Sequence, residues 1–331
     1  MKIQEAKEIL TSLNRLSLCS YDTPIQHLKH LEELTGINGI YIKRDDLNGV
    51  GPGGNKVRAL EYLLGSAVEN HSDIVIASGQ MNSNLCTIAA AACCKIGIHC
   101  ILVHNNDEPK YPTGNTILNN LLGIERVYLG EKPESYRNEY IMQMAIELKK
   151  KGHTPYIIEN GATTPLGAIG YANIPLELFE HNSQYHISDI FVAGGNGGLA
   201  AGVALGNMLL SNPYNVHVIT VENTVDELNL ILEDLMKNMK TLLNIPQNPL
   251  MKCQYSLHGD YRGQGWGIST PESINMIHEL AAAEGIFLEK IYTSKTFFGM
   301  IDLLKKGSIV SKGACFIHSG GFGALFGQYS S

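Results

Sequence analysis

Short apolar runs alternate with amphipathic or alanine-rich segments along most of this 331-residue chain, and that alternation most constrains its fold. The extended runs are 73–78 (DIVIAS), 99–104 (HCILVH), 126–130 (RVYLG), 154–159 (TPYIIE), 189–194 (DIFVAG) and 215–222 (NVHVITVE). Helical patterns fill 56–70, 84–96, 113–122, 136–151 and 199–211, and another starts near 226. Apolar strands separated by helices belong to parallel sheets covered on both faces. The reading is α/β, with open, twisted, mostly parallel sheets and no fixed-period repeat. Sheets of this kind bind ligands in glycine-rich turns beyond the C-terminal ends of their strands. Four such turns stand out: 51–55, 78–83, 194–198 and 319–323.

The first turn follows the strand-like run 39–47 (GIYIKRDDL) and reads GPGGNKVRAL over 51–60. Lys56 comes after two glycines and Asn55, then opens a helix carrying Val57, Leu60, Leu63 and Leu64. Glycines let a ligand approach the backbone, and a helix N-terminus is electropositive. An ammonium there is disfavoured by the local potential and by burial, which suits Schiff-base chemistry. A solvated lysine at a helix start is the plainer alternative.

The second turn, 78–91 (SGQMNSNLCTIAAA), places Asn82, Ser83 and Asn84 before an apolar helix. Helix capping alone accounts for Ser and Asn here, although such side chains also point into a ligand crevice. The third turn, 193–202 (AGGNGGLAAG), has four glycines in the five positions 194–198. Its free N–H groups and helix dipole suit an anion. Gly195, Gly197 and Ala200 also fit a loose dinucleotide pattern, with Glu222 near the place of a ribose-binding acid. Dinucleotide and single phosphate both remain open at this point. In the fourth region, 289–301 (EKIYTSKTFFGMI) puts Tyr292, Thr293 and Ser294 before a helix that Ser294 could cap. The strand in 313–326 (GACFIHSGGFGALF) ends at His318 and Ser319, and a strand-end histidine is more often packed than catalytic.

A net charge of -7 with evenly spread charge argues against nucleic-acid and anionic-membrane partners. No apolar run reaches membrane-spanning length, and the first residues, MKIQEAKEILTSLNRL, lack the apolar centre of a signal peptide. Seven cysteines without a C-x-x-C pair fit buried thiols in a reducing compartment. A cytoplasmic protein without a metal site is expected.

Taken in order, YIKRDDL, GGNK with its following Arg and LEYL, SG with NSN, the AGG-GG turn, YTSK with Gly299, and FIHSGG with GALF are a recognisable set. The chain resembles the D-cysteine desulfhydrase and 1-aminocyclopropane-1-carboxylate deaminase family, within the tryptophan-synthase-β-like, fold type II pyridoxal-phosphate (PLP) enzymes. The likeness runs from about residue 20 to the C-terminus.

The resemblance implies that Lys56 holds PLP as a Schiff base, with Asn55 beside it. Asn84 matches an asparagine near the ring oxygen, Ser83 an active-site serine, and Tyr292 an active-site tyrosine. Gly194, Gly195, Asn196, Gly197 and Gly198 match the phosphate cup, and Thr293 and Ser319 are candidate partners of the pyridine nitrogen. It further implies a large domain, 1–52 with 167–331, a small inserted domain, 53–166, and a homodimer acting on a small amino acid. Several positions depart from the family pattern: Ala59, Asn82, Thr87, Ile88, Gly198 and Trp266. These departures are expected to surround the substrate, with Asn82 and Trp266 contacting it. Thr293, standing where the deaminases have glutamate, favours β-elimination over ring opening. A nicotinamide-dependent oxidoreductase and a PLP-binding pseudoenzyme are the competing readings.

Overall fold

The computed structural model describes residues 2–19, 22–246, 248 and 251–329. Among the described residues ten strands form two sheets. β2 (Ile40–Lys43), β7 (Asp189–Gly194), β8 (Asn215–Thr220) and β10 (Ala314–Ile317) are the centre of a six-stranded sheet ordered β1-β2-β10-β7-β8-β9. Only its edge strand β1 (Ile25–His27) runs antiparallel; β9 (Ser256–His258) closes the other edge. β3 (Ile74–Gly79), β4 (His99–His104), β5 (Glu125–Tyr128) and β6 (Pro155–Ile158) form an all-parallel sheet ordered β5-β4-β3-β6. The α/β reading with two mostly parallel sheets is borne out. The chain leaves the large sheet after β2, builds the whole small sheet, and returns at β7.

The central strands β3 and β7 are buried at every position, as helical cover on both faces requires. Helices Asn84–Ile96 and Gly198–Leu209 are almost as apolar, so small residues allow close packing. A Cβ at Gly202 would stand 2.3 Å from the Ala168 carbonyl oxygen, and one at Gly206 2.2 Å from that of Ala172. The segment 165–185, which carries no clear periodic signal, supplies the helices on which Gly198–Leu209 rests. Among the described residues no helix is long and apolar enough to cross a membrane.

One interaction joins the first turn to the end of the chain. Gly54 forms an antiparallel bridge with Gly320, and the Asn55 N–H donates to the Ser319 carbonyl at 3.0 Å. Gly54 has φ 132° and Gly320 φ 99°. A Cβ on Gly320 would meet the Gly54 Cα at 2.6 Å, so two backbones cross where side chains have no room.

Candidate active site

A cavity of about 470 Å³ opens between the two sheets, and all four glycine turns contribute to its wall. Lys56, the first residue of the Lys56–Glu69 helix, projects into it. Its Nζ donates to the Gly161 carbonyl at 2.5 Å. Burial lowers the Lys56 pKa to about 8, against the opposing pull of Glu222. A substantial fraction of the amine is therefore neutral near physiological pH, as nucleophilic attack on an aldehyde requires.

The Asn84–Ile96 helix enters from the small sheet. Ser83 caps it, its Oγ accepting from the Cys86 N–H at 3.4 Å. Capping and cavity lining are thus one arrangement, because Ser83 keeps its own hydroxyl proton for a ligand. Asn115 donates to Asn84 Oδ1 at 2.9 Å and to the Asn82 carbonyl at 2.9 Å. That fixes the turn while Asn82 Oδ1 stays buried without a partner. Facing it, Gly195, Asn196, Gly197 and Gly198 line the cavity at the start of the Gly198–Leu209 helix. Gly197 has φ 87°, and a Cβ there would meet Ile231 Cγ2 at 2.9 Å, so a side chain would strain the backbone and crowd the helix behind. The cup is bare N–H groups backed by a helix dipole, which is suited to a phosphate.

Several expectations are corrected. Gly194 does not line the cavity; a Cβ on it would meet Leu228 Cδ2 at 2.6 Å, so it serves strand–helix packing. Thr293 lies behind the wall, 1% exposed, with Oγ1 taken by the Glu289 N–H at 2.7 Å. Ser319 does line the cavity. Ser294 caps nothing: it is buried in the first turn, with Oγ donating to the Lys290 carbonyl. The cap is Glu289, whose carboxylate accepts from the N–H groups of Ile291, Tyr292 and Thr293 at 2.6–2.8 Å. Ala59, Thr87 and Ile88 are core residues at 0–1% exposure. Of the departures from the family pattern, only Asn82, Gly198 and Trp266 reach the cavity. His318 is packed, with Nε2 bonded to the Phe287 carbonyl.

Trp266 donates from Nε1 to the Tyr292 hydroxyl at 2.7 Å. Because indole cannot accept in return, the Tyr292 proton is directed elsewhere; burial pushes its pKa well above the ordinary value. Sequence reasoning did not find Arg137, Glu134, Asn105, Asn160 or Gln328, all of which line the cavity. Arg137 is 2% exposed and donates to Asn105 at 2.6 Å. These residues come from four segments that share no local motif.

The residues present fit PLP: a partly neutral lysine, an anion cup without side chains, and asparagine, serine and tyrosine groups around the space between. The sequence profile of the family described as "Pyridoxal-phosphate dependent enzyme" matches residues 16–320. A Pyrococcus horikoshii protein named "Putative 1-aminocyclopropane-1-carboxylate deaminase" is 35% identical over 96% of this chain and 95% of its own length. A Yersinia pestis protein named "D-cysteine desulfhydrase" is 32% identical over 97% of each. The crystal structure of an "ACC deaminase homologue" superposes with a TM-score of 0.88 at 34% identity, covering 97% of this chain and 96% of that one. A threonine deaminase isoform from Solanum lycopersicum shares the fold at a TM-score of 0.66 and 16% identity, over 96% of this chain and 84% of its own. The glycine turn and Glu222 therefore do not signal a nicotinamide enzyme; the chain belongs to the pyridoxal-phosphate dependent enzyme family.

Proposed function

We propose that the protein is a PLP-dependent lyase that acts on a small β-substituted amino acid by a β-elimination of the D-cysteine desulfhydrase kind, giving a keto acid and ammonia. The observation that carries this reading is Lys56, a nucleophile of lowered pKa facing an anion cup across the cavity. Bound PLP supplies an electron sink for charge formed at the substrate α-carbon. Lys56 would hold the cofactor and, once displaced, take the α-proton. The start of the Asn84–Ile96 helix, with Ser83, is suited to the substrate carboxylate. Tyr292, held by Trp266, would direct its hydroxyl proton toward the reacting group. Ser319 would meet the pyridine nitrogen with a hydroxyl rather than a carboxylate, which would favour direct elimination. Ring opening of 1-aminocyclopropane-1-carboxylate is the second reading, favoured by the Pyrococcus relative.

The test is to load the purified protein with PLP, record its visible absorbance, and screen D- and L-amino acids for keto-acid release. Absence of both colour and product would remove the reading. Trp266→Tyr is expected to gain activity on D-cysteine or on the cyclopropane amino acid, because a phenol at this position can accept as well as donate. Steady-state rates of both proteins on both substrates check this; a wild type already efficient on D-cysteine and unchanged by the substitution would clear Trp266 of a specificity role.

Gly198 gives a second handle. A Cβ there would have 3.5 Å to its nearest neighbour, Thr163 Oγ1. Gly198→Thr should therefore be accommodated and add one hydroxyl to the phosphate cup. A hydrogen bond to a charged group contributes about 1.5–3 kcal/mol, so PLP should bind on the order of tenfold more tightly or better. Titration of cofactor-free protein would read this, and weaker binding would mean that the cup is already filled.

A cytoplasmic homodimer is part of the proposal. All cysteines are free thiols. The packed helices Asn115–Leu121 and Phe322–Tyr329 expose Ile117, Leu121, Phe322 and Phe326, an apolar surface suited to a second copy. Sedimentation of the holoenzyme would decide the oligomeric state.

A further inference from the structure

The cavity holds one carboxyl that nothing in the fold uses. Glu222 follows β8 and lines the cavity, yet its Oε2 is fully buried with no hydrogen-bond partner among the described residues. Its backbone is fixed on the far side: the carbonyl accepts from Arg262 Nε at 2.9 Å. The carboxyl lies over the phosphate turn beside Tyr292. A Cβ built on Gly195 would be 3.5 Å from Glu222 Oε2 and 3.1 Å from Tyr292 Cε1. An uncompensated buried carboxyl costs stability, so its retention calls for a partner that the fold itself does not supply.

Every other charged group on the wall has either a partner of opposite charge or a set of hydrogen bonds to the fold. Glu289 accepts from three backbone N–H groups and from Gln328 Nε2 at 3.3 Å. Glu134 is half-exposed, accepts from Asn160 Nδ2 at 2.8 Å and pairs with Arg137 at 3.3 Å. Arg137 also donates from Nη1 to Asn105, while its Nε and Nη2 make no hydrogen bond among the described residues, and the Tyr292 hydroxyl accepts from Trp266. What is left is one amine, Lys56, bonded only to a carbonyl, and one carboxyl, Glu222.

We propose that Glu222 is the positioning counter-charge of Lys56, stabilising the ammonium form of Nζ whenever that nitrogen is free of the cofactor. This rests on the reading of Lys56 as the cofactor lysine. In a proton abstraction by Lys56 the α-proton would pass from carbon to Nζ and leave its electron pair on the substrate, where bound PLP would supply the electron sink. The positive charge thus appears at Nζ inside a walled cavity, where an opposed carboxylate offsets the desolvation. The same pairing keeps the resting amine from losing its proton too early. Burial pulls the Lys56 pKa down, and Glu222 is the group that pulls it back up. Reciprocally, burial and repulsion from Glu134 raise the Glu222 pKa, and Lys56 lowers it.

The test uses cofactor-free protein, in which capture of PLP by Lys56 follows the neutral fraction of the amine. The rate of capture, read from visible absorbance across neutral to alkaline pH, should rise with a midpoint at about 8 in the wild type. In Glu222→Gln the midpoint should fall by about one pH unit, since loss of an opposite charge disfavours the ammonium. Capture at neutral pH then accelerates several-fold while kcat drops. Glu222→Asp, which keeps the charge, should retain the wild-type midpoint. An unchanged midpoint in folded Glu222→Gln overturns the proposal. Should that variant not fold, the reciprocal measurement stands: in Lys56→Met the Glu222 carboxyl, followed by carbon NMR, must titrate at higher pH, and an unmoved titration overturns the proposal equally. A wild type that captures no PLP at Lys56 instead defeats the cofactor reading beneath it, a separate and visible failure.

Discussion

Lys56→Ala is expected to abolish turnover, by roughly 10³-fold or more since nucleophile and base are lost together, while the fold persists or gains stability. The gain has a worked sign. Lys56 titrates at about 8 in the folded protein against 10.5 in a free side chain. Below the folded pKa the native state carries a buried ammonium at a cost; above 10.5 the amine is neutral in both states and the cost is gone. Cofactor-free Lys56→Ala should therefore melt at or above the wild-type temperature at neutral pH, and the difference should shrink as pH rises from about 8 toward 10.5. Borohydride reduction of the wild-type holoenzyme followed by peptide mapping should mark Lys56. Label on another lysine, or a variant that retains turnover, sinks the assignment.

The largest loss of stability is expected at Arg58, two residues along the same helix. Its guanidinium grips Asp45 through Nε at 2.7 Å and Nη2 at 2.8 Å, and Glu177 through Nη1 at 2.5 Å and Nη2 at 2.8 Å. Lys43, fully buried, adds a second cation 2.6 Å from Glu177. Paired fork contacts of this kind are strong and geometrically specific. Arg58→Met leaves two buried carboxylates facing one lysine, and breaking a buried pair in this way costs about 3–5 kcal/mol. The acid limb should move as well. Glu177 is held down to about 2, with Arg58 the largest favourable cause against burial. It stabilises the fold above pH 4.5 and loses that contribution as pH falls through about 2. Without Arg58 the carboxyl loses this support, so acid unfolding should begin at a higher pH. Urea titrations at neutral and acid pH would measure both effects; a neutral-pH loss below about 1 kcal/mol would mean that solvent already reaches the network.

Where a segment's fate is decided by its own periodicity, it was legible in the sequence. The helix at 84–96 and the strand at 99–104 have the observed limits, because an apolar run bounded by histidines and an alanine-rich helix leave no other choice. The glycine turns were equally plain as turns. What each glycine does was not, since Gly194 and Gly197 face side chains from the Val225–Leu242 helix, far along the chain. Ser294 and Thr293 mislead for the same reason. Their sequence context promises a cap and a free hydroxyl, and Glu289, a few residues upstream, supplies the cap and occupies the threonine. Arg137 sits in a helix that gives no hint of a ligand, and only the meeting of two sheets brings it to the cavity. Ala59, Thr87 and Ile88, expected around the substrate, lie on helix faces that turn toward the core, which local sequence does not reveal.

The placement of β10 has a consequence for how the protein comes off the ribosome. The strand lies between β2 and β7, joined to both by parallel pairing, although it is synthesised well after either of them. Until they emerge, β2 and β7 have no common neighbour, and the Gly54–Gly320 bridge behind Lys56 cannot form. The small sheet, built from one continuous stretch, has no such wait. A nascent chain would thus present a finished small half and an unclosed large half whose apolar strand edges need protection. An amine that reacts with aldehydes would acquire its walls only when the remainder of the chain is in place.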